Sequence, residues 1–271
     1  MPTNAVLLPP SDDKKAGGNP FAPDMFDYRS SDTFNYFNVL NPERRALVKK
    51  LQEAIETAGA DGISGMFGAT GDALSVAVEV TRKIFSAPLM SALKRYSPGA
   101  LFSAMDFPGL PTGAQRRLLE NGIVFSGLFG LLRPDDLIPM YHLGMDATIP
   151  GLGSVAEYWK PTLSPHLNEL VAGRVVWDFL PEFHHRAWDD TQAYERRIQV
   201  RFVSDGQDEE DGTEENVLPL VGHLVSLIVR TTTVGIQMLQ GWTHPAGYRY
   251  DEDRSCWNEE TKAASVVMAK V

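Results

Sequence analysis

Apolar positions in this chain come in short dense runs, broken by clusters of proline, glycine and acidic residues. Asn4 to Pro10 reads NAVLLPP: a short apolar run stopped by two residues that have no amide hydrogen to donate. That pattern predicts a buried strand entering a loop. The loop continues through SDDKKAGGNPFAPD, rich in Gly, Pro and Asp. NPERRALVKKLQEAIETAG predicts a helix, with Asn41 as cap, Pro42 at the first helical position and Gly59 as stop. GDALSVAVEVTRKIF predicts a second helix, and ISGMFGATG before it has the small-residue texture of a tight helix-to-helix turn. PLMSALKRYSPGALFSAMD reads as helix, turn and a further apolar segment.

In the second half, GIVFSGLFGLL is dense enough for a buried strand or a buried helix; strand then turn is the preferred reading. SVAEYWKPTLSPHLNELVAG predicts a helix around its prolines. RVVWDFLP predicts a buried strand, RRIQVRFVS an alternating one, and VLPLVGHLVSLIVRTTTVGIQMLQ a helix. GYRYDEDRSCWNEETKAASVVM reads as a polar loop before a short terminal element. Strands and helices mix without a regular βαβ period, so the expected class is α+β, a compact mixed sheet surrounded by helices over residues 1–271.

Composition narrows the function. The chain has 271 residues and is 43% hydrophobic, enough for a sizeable core. No apolar run approaches a membrane span. The first residues carry neither the basic region nor the small-residue cleavage site of a secretory signal. Cys256 is the single cysteine, so no internal disulfide forms and a reducing, cytoplasmic setting is expected. Formal net charge is −10, which opposes non-specific attraction to phosphate backbones. Much of the excess sits in SDGQDEEDGTEEN, Ser204 to Asn216, expected to be a solvated mobile loop.

Candidate chemistry follows from a few segments. In PPSDDKK, Ser11 and Lys14 leave the first strand together, so Lys14 can grip an anion or activate Ser11 if desolvated. The bland alternative is a polar loop. Arg133 suits bidentate contact with carboxylate or phosphate, or an internal brace with Asp136. Tyr141 and His142 follow, a phenol and an imidazole fit for acid–base work near neutral pH, or for packing. FHHRAWDD holds His184, His185, Asp189 and Asp190, which invites a metal reading with His223 or His244. Adjacent histidines point apart, however, so no metal site is assigned. Asp251 and Asp253 lie in an acidic turn without the calcium-loop pattern. GMFGATGD lacks the Lys-Ser/Thr ending of a phosphate loop.

Several of these segments together resemble the peroxide-stress YaaA family. LLPPSDDKKAGG resembles its first strand and Pro-Pro-Ser-x-x-Lys exit. RYSPGALFSAMD resembles its Tyr-x-Gly-x-x-(Tyr/Phe) segment, and SGLFGLLRPDDLIPMYHLGM its Ser-Gly-Leu-(Tyr/Phe)-Gly-x-x-Arg-Pro-x-Asp block. EYWKPTLSPHLNEL, VVWDF and GYRYDEDRS follow in the family's order. The resemblance implies an α+β body with a helix-hairpin-helix-like element and a polar cleft, in a protein that limits peroxide damage through iron and DNA. It places Ser11, Lys14, Arg133, Tyr141 and His142 as catalytic candidates. It adds Asp136, Lys160, Asp178, Arg230, Asp251 and Asp253 as ligand-binding candidates. The implied partner is a small-molecule anion or duplex DNA; no cofactor is named. The chain also departs from the family. VRTTTVG puts Thr231, Thr232 and Thr233 where lysines are expected and leaves Arg230 alone. His142 replaces an arginine, and LPEFHHRAW brings in Pro181 and His184. Each lost lysine removes a phosphate contact. An enzyme reusing the cleft on a small molecule is therefore the second expectation.

Overall fold

The computed structural model describes residues 3–21, 35–204, 210–211 and 217–271. Its strands are β1 (Asn4–Leu8), β2 (Met90–Ser91), β3 (Gly122–Ser126), β4 (Gly130–Leu132), β5 (Leu137–Ile138), β6 (Thr148–Ile149), β7 (Gly153–Ser154), β8 (Val175–Asp178), β9 (Arg196–Val203), β10 (Glu210–Asp211), β11 (Tyr248–Asn258) and β12 (Ala263–Lys270). The main sheet runs β11-β12-β9-β8-β1-β3-β4, with β10 added beside β9. From β12 to β3 every neighbouring pair is parallel; β4 and β11 close the edges antiparallel. The class is α+β with a mixed sheet. β3 and β8 are buried along their whole length, and β1 from Ala5 onward. That is why their sequences read as continuous apolar runs instead of alternating ones.

The helices are α1 (Asn41–Thr57), α2 (Ala60–Phe67), α3 (Gly71–Arg82), α4 (Ala92–Arg95), α5 (Ala100–Met105), α6 (Thr112–Asn121), α7 (Val155–Val171), α8 (Glu182–His185) and α9 (Leu218–Arg230). α7 begins on a Ser154-x-x-Glu157 pattern in which the Ser154 hydroxyl accepts from the Glu157 amide at 3.4 Å. It runs through Pro161 and Pro165. One buried cluster reaches from Ala5 in β1 to Met268 in β12.

Three expectations change. ISGMF belongs to a helix, α2, and only residues 68–70 turn; Gly68 takes the left-handed conformation that ends it. α9 stops at Arg230, and the stretch expected to continue it is extended before a short 3-10 turn, Gly235–Leu239. Residues 248–270 form a hairpin instead of a loop and a short end. β12 inserts beside β9 and β11 covers it, with a register shift between Asp251 and Cys256. Their polar positions misled because β11 is an edge strand with one face in solvent. Of the acidic segment 204–216, Glu210–Asp211 pairs with β9; residues 205–209 and 212–216 lie outside the described residues.

Topology sets where chemistry can sit. The chain leaves β1 and returns as β3 on one side of it, and later as β8 on the other. The carboxyl ends of parallel strands at such a reversal form the usual crevice of open sheets. The amino end is closed by arginines. Arg133 donates to the Glu120 carbonyl at 2.9 Å, Arg174 to the Asn4 carbonyl at 2.6 Å and Arg117 to the Val229 carbonyl at 2.7 Å. Arg133 and Arg117 thereby satisfy terminal carbonyls of α6 and α9, where a cation also meets the negative end of the helix dipole.

Candidate functional site

Beyond β1 the chain passes Pro9 and Pro10 and enters the Ser11–Asn19 loop. A buried guanidinium holds that loop. Arg95, fully buried at the end of α4, donates to the carbonyls of Lys15, Gly17 (2.9 Å), Pro88 (3.2 Å) and Ile138 (3.1 Å). The Lys15 amide answers with a 2.7 Å bond to the Arg95 carbonyl, and Asn19 pairs with Leu89 in both directions. Ser11 packs on the bare Cα of Gly99: a β-carbon there would stand 2.0 Å from the Ser11 hydroxyl. These contacts explain why the first loop and RYSPG occur in one chain. Arg95 is the organising residue that sequence reasoning passed over.

The neighbouring wall is a row of hydroxyls. Ser126 ends β3, and its hydroxyl donates to the Tyr141 phenol at 2.9 Å. That phenol lies 2.6 Å from the Tyr96 phenol. All three groups are buried. Burial pushes the Tyr141 phenol up to about 12 and that of Tyr96 well above its ordinary value, so both keep their protons at neutral pH. Gly127 carries the chain past this wall. A side chain there would meet the Leu143 carbonyl at 2.5 Å, so the glycine lets the Tyr141–Gly144 segment lie directly on the turn after β3. Trp159 of α7 pins the same turn by donating to the Gly127 carbonyl at 2.8 Å.

Lys14 lies on this wall, with its ammonium 4.8 Å from the centroid of the Tyr141 ring. Among the described residues it makes neither hydrogen bond nor ion pair. Burial lowers its pKa from 10.5 to about 8; Asp12 and Asp13 oppose the fall and Arg95 adds to it. His142 is next, its pKa lowered first by burial and then by the Lys14 charge, against a pull from Asp12. Its Nε2 is buried with no hydrogen-bond partner. Both line a cleft of about 790 Å³ together with Asp12, Asp61, Asp146 and the Gly62–Gly68 face of α2. The cleft thus offers an unpaired cation, a neutral imidazole and three carboxylates. It can seat an anionic group at Lys14 and hydroxyl or amine donors opposite, and Lys14 can exchange a proton near pH 8.

The other candidates are elsewhere. Arg133 does not share the hollow of Ser11 and Lys14. β4 runs back along β3, which carries Arg133 to the amino end of the sheet, where its guanidinium caps α6 and lies 4.9 Å from the centroid of the Tyr36 ring. The expected brace exists in another form: the Asp136 carboxylate accepts from the backbone amides of Arg133 (2.8 Å) and Tyr36 (2.9 Å). Buried Arg44 lies near enough to stabilise that charge, yet desolvation still raises the Asp136 pKa to about 6. Arg44 itself donates to the Phe129 and Leu131 carbonyls. Lys160 is on a separate groove along α7, with Pro161, Pro165 and Asn168. Arg230 ends α9 and donates to Ser226 at 3.2 Å. Asp251 and Asp253 sit on β11, at the far edge of the sheet, and Asp251 is taken up by Arg254 at 2.7 Å.

Asp178 ends β8 at the carboxyl side but is sealed from the cleft. It accepts from His185 at 2.9 Å, from Arg197 at 2.7 Å and from the Leu180 amide at 3.0 Å. Burial alone would raise its pKa. The His185 bond and the Arg197 charge outweigh burial and hold it below the ordinary carboxylate range. His184, one residue before, turns the other way, onto Phe183 and Phe125. Among the described residues no group of three His, Cys, Asp or Glu side chains could hold a metal ion. No helix of the described residues is long and apolar enough to cross a membrane.

Comparison with known proteins agrees with this arrangement of motifs. Residues 5–254 match the family described as "Peroxide stress protein YaaA". A UPF0246 protein of Streptomyces coelicolor is 30% identical over 185 residues, 68% of this chain and 66% of that protein. An uncharacterised Campylobacter jejuni protein is 25% identical over 171 residues, 63% of this chain and 67% of its own. A UPF0246 protein of Corynebacterium glutamicum is 31% identical over 173 residues, 61% of this chain and 64% of its own. The matched segments span about two thirds of these relatives' length. The family match covers the β1 exit, the Ser126–Met145 block and β8, so the chain belongs to the peroxide stress protein YaaA family.

Proposed function

We propose that this chain acts in the peroxide-stress response as a small-molecule protein, whose cleft binds an anionic ligand at Lys14. The observation that supports this reading is the Lys14 ammonium: half-buried, at the carboxyl ends of the central parallel strands, with no hydrogen-bond or ion-pair partner among the described residues. A charge is kept out of water without a partner only at a net cost, and an anionic ligand would offset it. Duplex DNA is a poorer fit. Asp12, Asp61 and Asp146 stand around the same cleft, and the hairpin between α2 and α3 brings no lysine or arginine before Arg82. Such a rim repels a continuous phosphate backbone while leaving room for one anionic group. Lys14 is also equipped for proton transfer, since its lowered pKa keeps a basic amine available near neutral pH. That favours the enzymatic version of the same cleft.

The test is calorimetric titration of the purified chain with inorganic phosphate and with a short DNA duplex at low salt. Two unit charges about 4 Å apart at an effective dielectric of about 20 attract by about 4 kcal/mol. Screening in an open cleft leaves about 1.5–3 kcal/mol of that, or about 10- to 100-fold in affinity. Lys14→Met should therefore weaken phosphate binding by that factor, and wild-type affinity should decline as pH rises beyond about 8. Equal affinity in the variant removes Lys14 from the site. Duplex binding that falls steeply with salt overturns the small-molecule reading. In cells, peroxide tolerance restored by the wild-type gene and not by the Lys14→Met gene ties the cleft to the stress response.

A further inference from the structure

A second cavity, of about 470 Å³, adjoins the Lys14 cleft; Asp12, Gly144 and Asp146 line both. Leu101, Phe102, Met145, Phe183 and Leu218 give it one apolar, partly flat side, and Ser11, Asp12, Asp13 and Asp146 line the rest. His184 also lines it. That imidazole is 2% exposed, 4.5 Å from the Phe183 ring centroid and 6.1 Å, edge-on, from that of Phe125. Among the described residues neither of its ring nitrogens has a hydrogen-bond partner. Burial drives its pKa down to about 3, with His185 adding and Asp178 opposing. The ring is therefore neutral, with one donor and one acceptor. A buried donor and acceptor left unpaired are destabilising, and native proteins rarely keep both. The neighbouring His185 has no such vacant valence, since it is bonded to Asp178.

We propose that the His184 cavity is a ligand subsite for an uncharged heteroaromatic ring, which hydrogen-bonds to one of the two unpartnered nitrogens of the imidazole. The ring is uncharged because a neutral imidazole supplies no counter-charge to an anion, which Asp12, Asp13 and Asp146 on the same lining also repel, and a cation would be desolvated against Leu101, Phe102, Met145 and Phe183. It must be flat and largely apolar because its walls are Phe102 and Phe183 with aliphatic side chains. The subsite deepens the anion reading by naming the other half of the ligand, and it rests on that reading for the anionic end alone. A molecule carrying an anionic group on a heteroaromatic body would span both cavities past Asp12 and Asp146.

The experiment uses the full chain labelled with ¹⁵N in its histidine rings. Adenine, uracil, benzimidazole and 7-azaindole are titrated separately to millimolar concentration, and inorganic phosphate in parallel. At least one heterocycle should shift the His184 ring nitrogens. Its affinity should drop about tenfold or more in His184→Phe, which keeps the ring volume and loses both polar atoms. His184→Gln, which restores a donor and an acceptor, should recover most of it. Thermal denaturation of each variant shows that it is folded. Heterocycle binding should survive Lys14→Met, and phosphate binding should survive His184→Phe. If no heterocycle moves the His184 resonances, or if His184→Phe binds as wild type does, the subsite is refuted. Phosphate binding then still decides the Lys14 reading by itself.

Discussion

Replacing Lys14 by Met should make the protein more stable while weakening its hold on an anion. The folded chain holds the Lys14 pKa at about 8 instead of 10.5, chiefly through burial. At about 1.4 kcal/mol per pH unit this gap corresponds to about 3 kcal/mol against the charged form. The side chain is only half-buried, so solvent screening reduces that to about 2 kcal/mol. The ammonium also gains from the Tyr141 ring 4.8 Å away, a contact of about 0.5–1 kcal/mol that the Met thioether replaces in part. The net expectation at pH 7 is a variant about 1–2 kcal/mol more stable. The pH dependence fixes the cause. Between about 8 and 10.5 the unfolded chain holds the Lys14 proton and the folded chain has released it, so the wild type gains stability as pH rises through that window. The variant's advantage should be full below pH 8 and gone above 10.5. Urea denaturation of both proteins across that range measures it. A variant no more stable at pH 7, or an advantage that ignores pH, would show that Lys14 is not a desolvated charge, and the anion site would lose its physical basis.

Other substitutions separate structural roles from the cleft. Asp178→Asn leaves Arg197 with Asp190, at 3.3 Å, as its remaining carboxylate and should cost about 1.5–3 kcal/mol in thermal or urea unfolding. Because the Asp178 pKa is lowered, its contribution is present above the ordinary carboxylate range and lost as pH falls through the folded value. Because the His185 pKa is raised, its contribution is full below 6.5 and lost as pH rises through its folded value. Melting temperature against pH should therefore lose both flanks in Asp178→Asn. Arg133→Met removes the cap on α6 and the Tyr36 contact; it should cost about 1–2 kcal/mol of stability and leave phosphate affinity unchanged. Gly99→Ala drives a β-carbon to 2.6 Å from that of Ser11, so the loop must move. It should cost about 1–3 kcal/mol and weaken phosphate binding with every charge still present, which calorimetry on a folded variant checks.

The sequence showed these features unevenly, for physical reasons. β1, β3 and β8 were legible because strands buried on both faces leave an unbroken apolar run. β11 was not, because an edge strand leaves most of its length after Tyr248 exposed or half-exposed and reads as a loop. α2 was masked by its glycines: Gly68 supplies the αL end, while Gly62 and Gly65 have room for a side chain and so marked no constraint that a helix imposes. In the site, Ser11 and Lys14 carried a local signal, a polar pair at a strand exit. Arg133 carried an equally strong one and belongs to the other end of the sheet. Direction along an antiparallel return is a register fact, and no residue type encodes it. Arg95 gave no signal because its work is done on backbone carbonyls, three of the four 43 to 80 residues away in sequence. A buried arginine beside Tyr96 in RYSPG was visible only as one more basic residue.

The departures from the family sort by end of the sheet, which ties the two halves of the functional reading together. The threonines at 231–233 follow α9, and the Thr233 carbonyl accepts from Asn4 at 2.9 Å, at the first residue of β1. Cations at those positions would stand at the amino end, where arginines cap α6 and α9. The Lys14 cleft, a strand length away, keeps its charge. The new histidines lie at the carboxyl end: His142 beside Lys14, and His184 on the adjoining cavity. Both hold a buried ring nitrogen without a partner among the described residues. A stretch without lysines at one end and neutral imidazoles at the other act in one direction. Attraction to an extended polyanion falls, while the capacity to hold a compact, partly apolar ligand with specific hydrogen bonds rises. On the reading proposed above, Lys14 takes the anionic group, and the two imidazoles mark where the rest of the ligand would touch the chain.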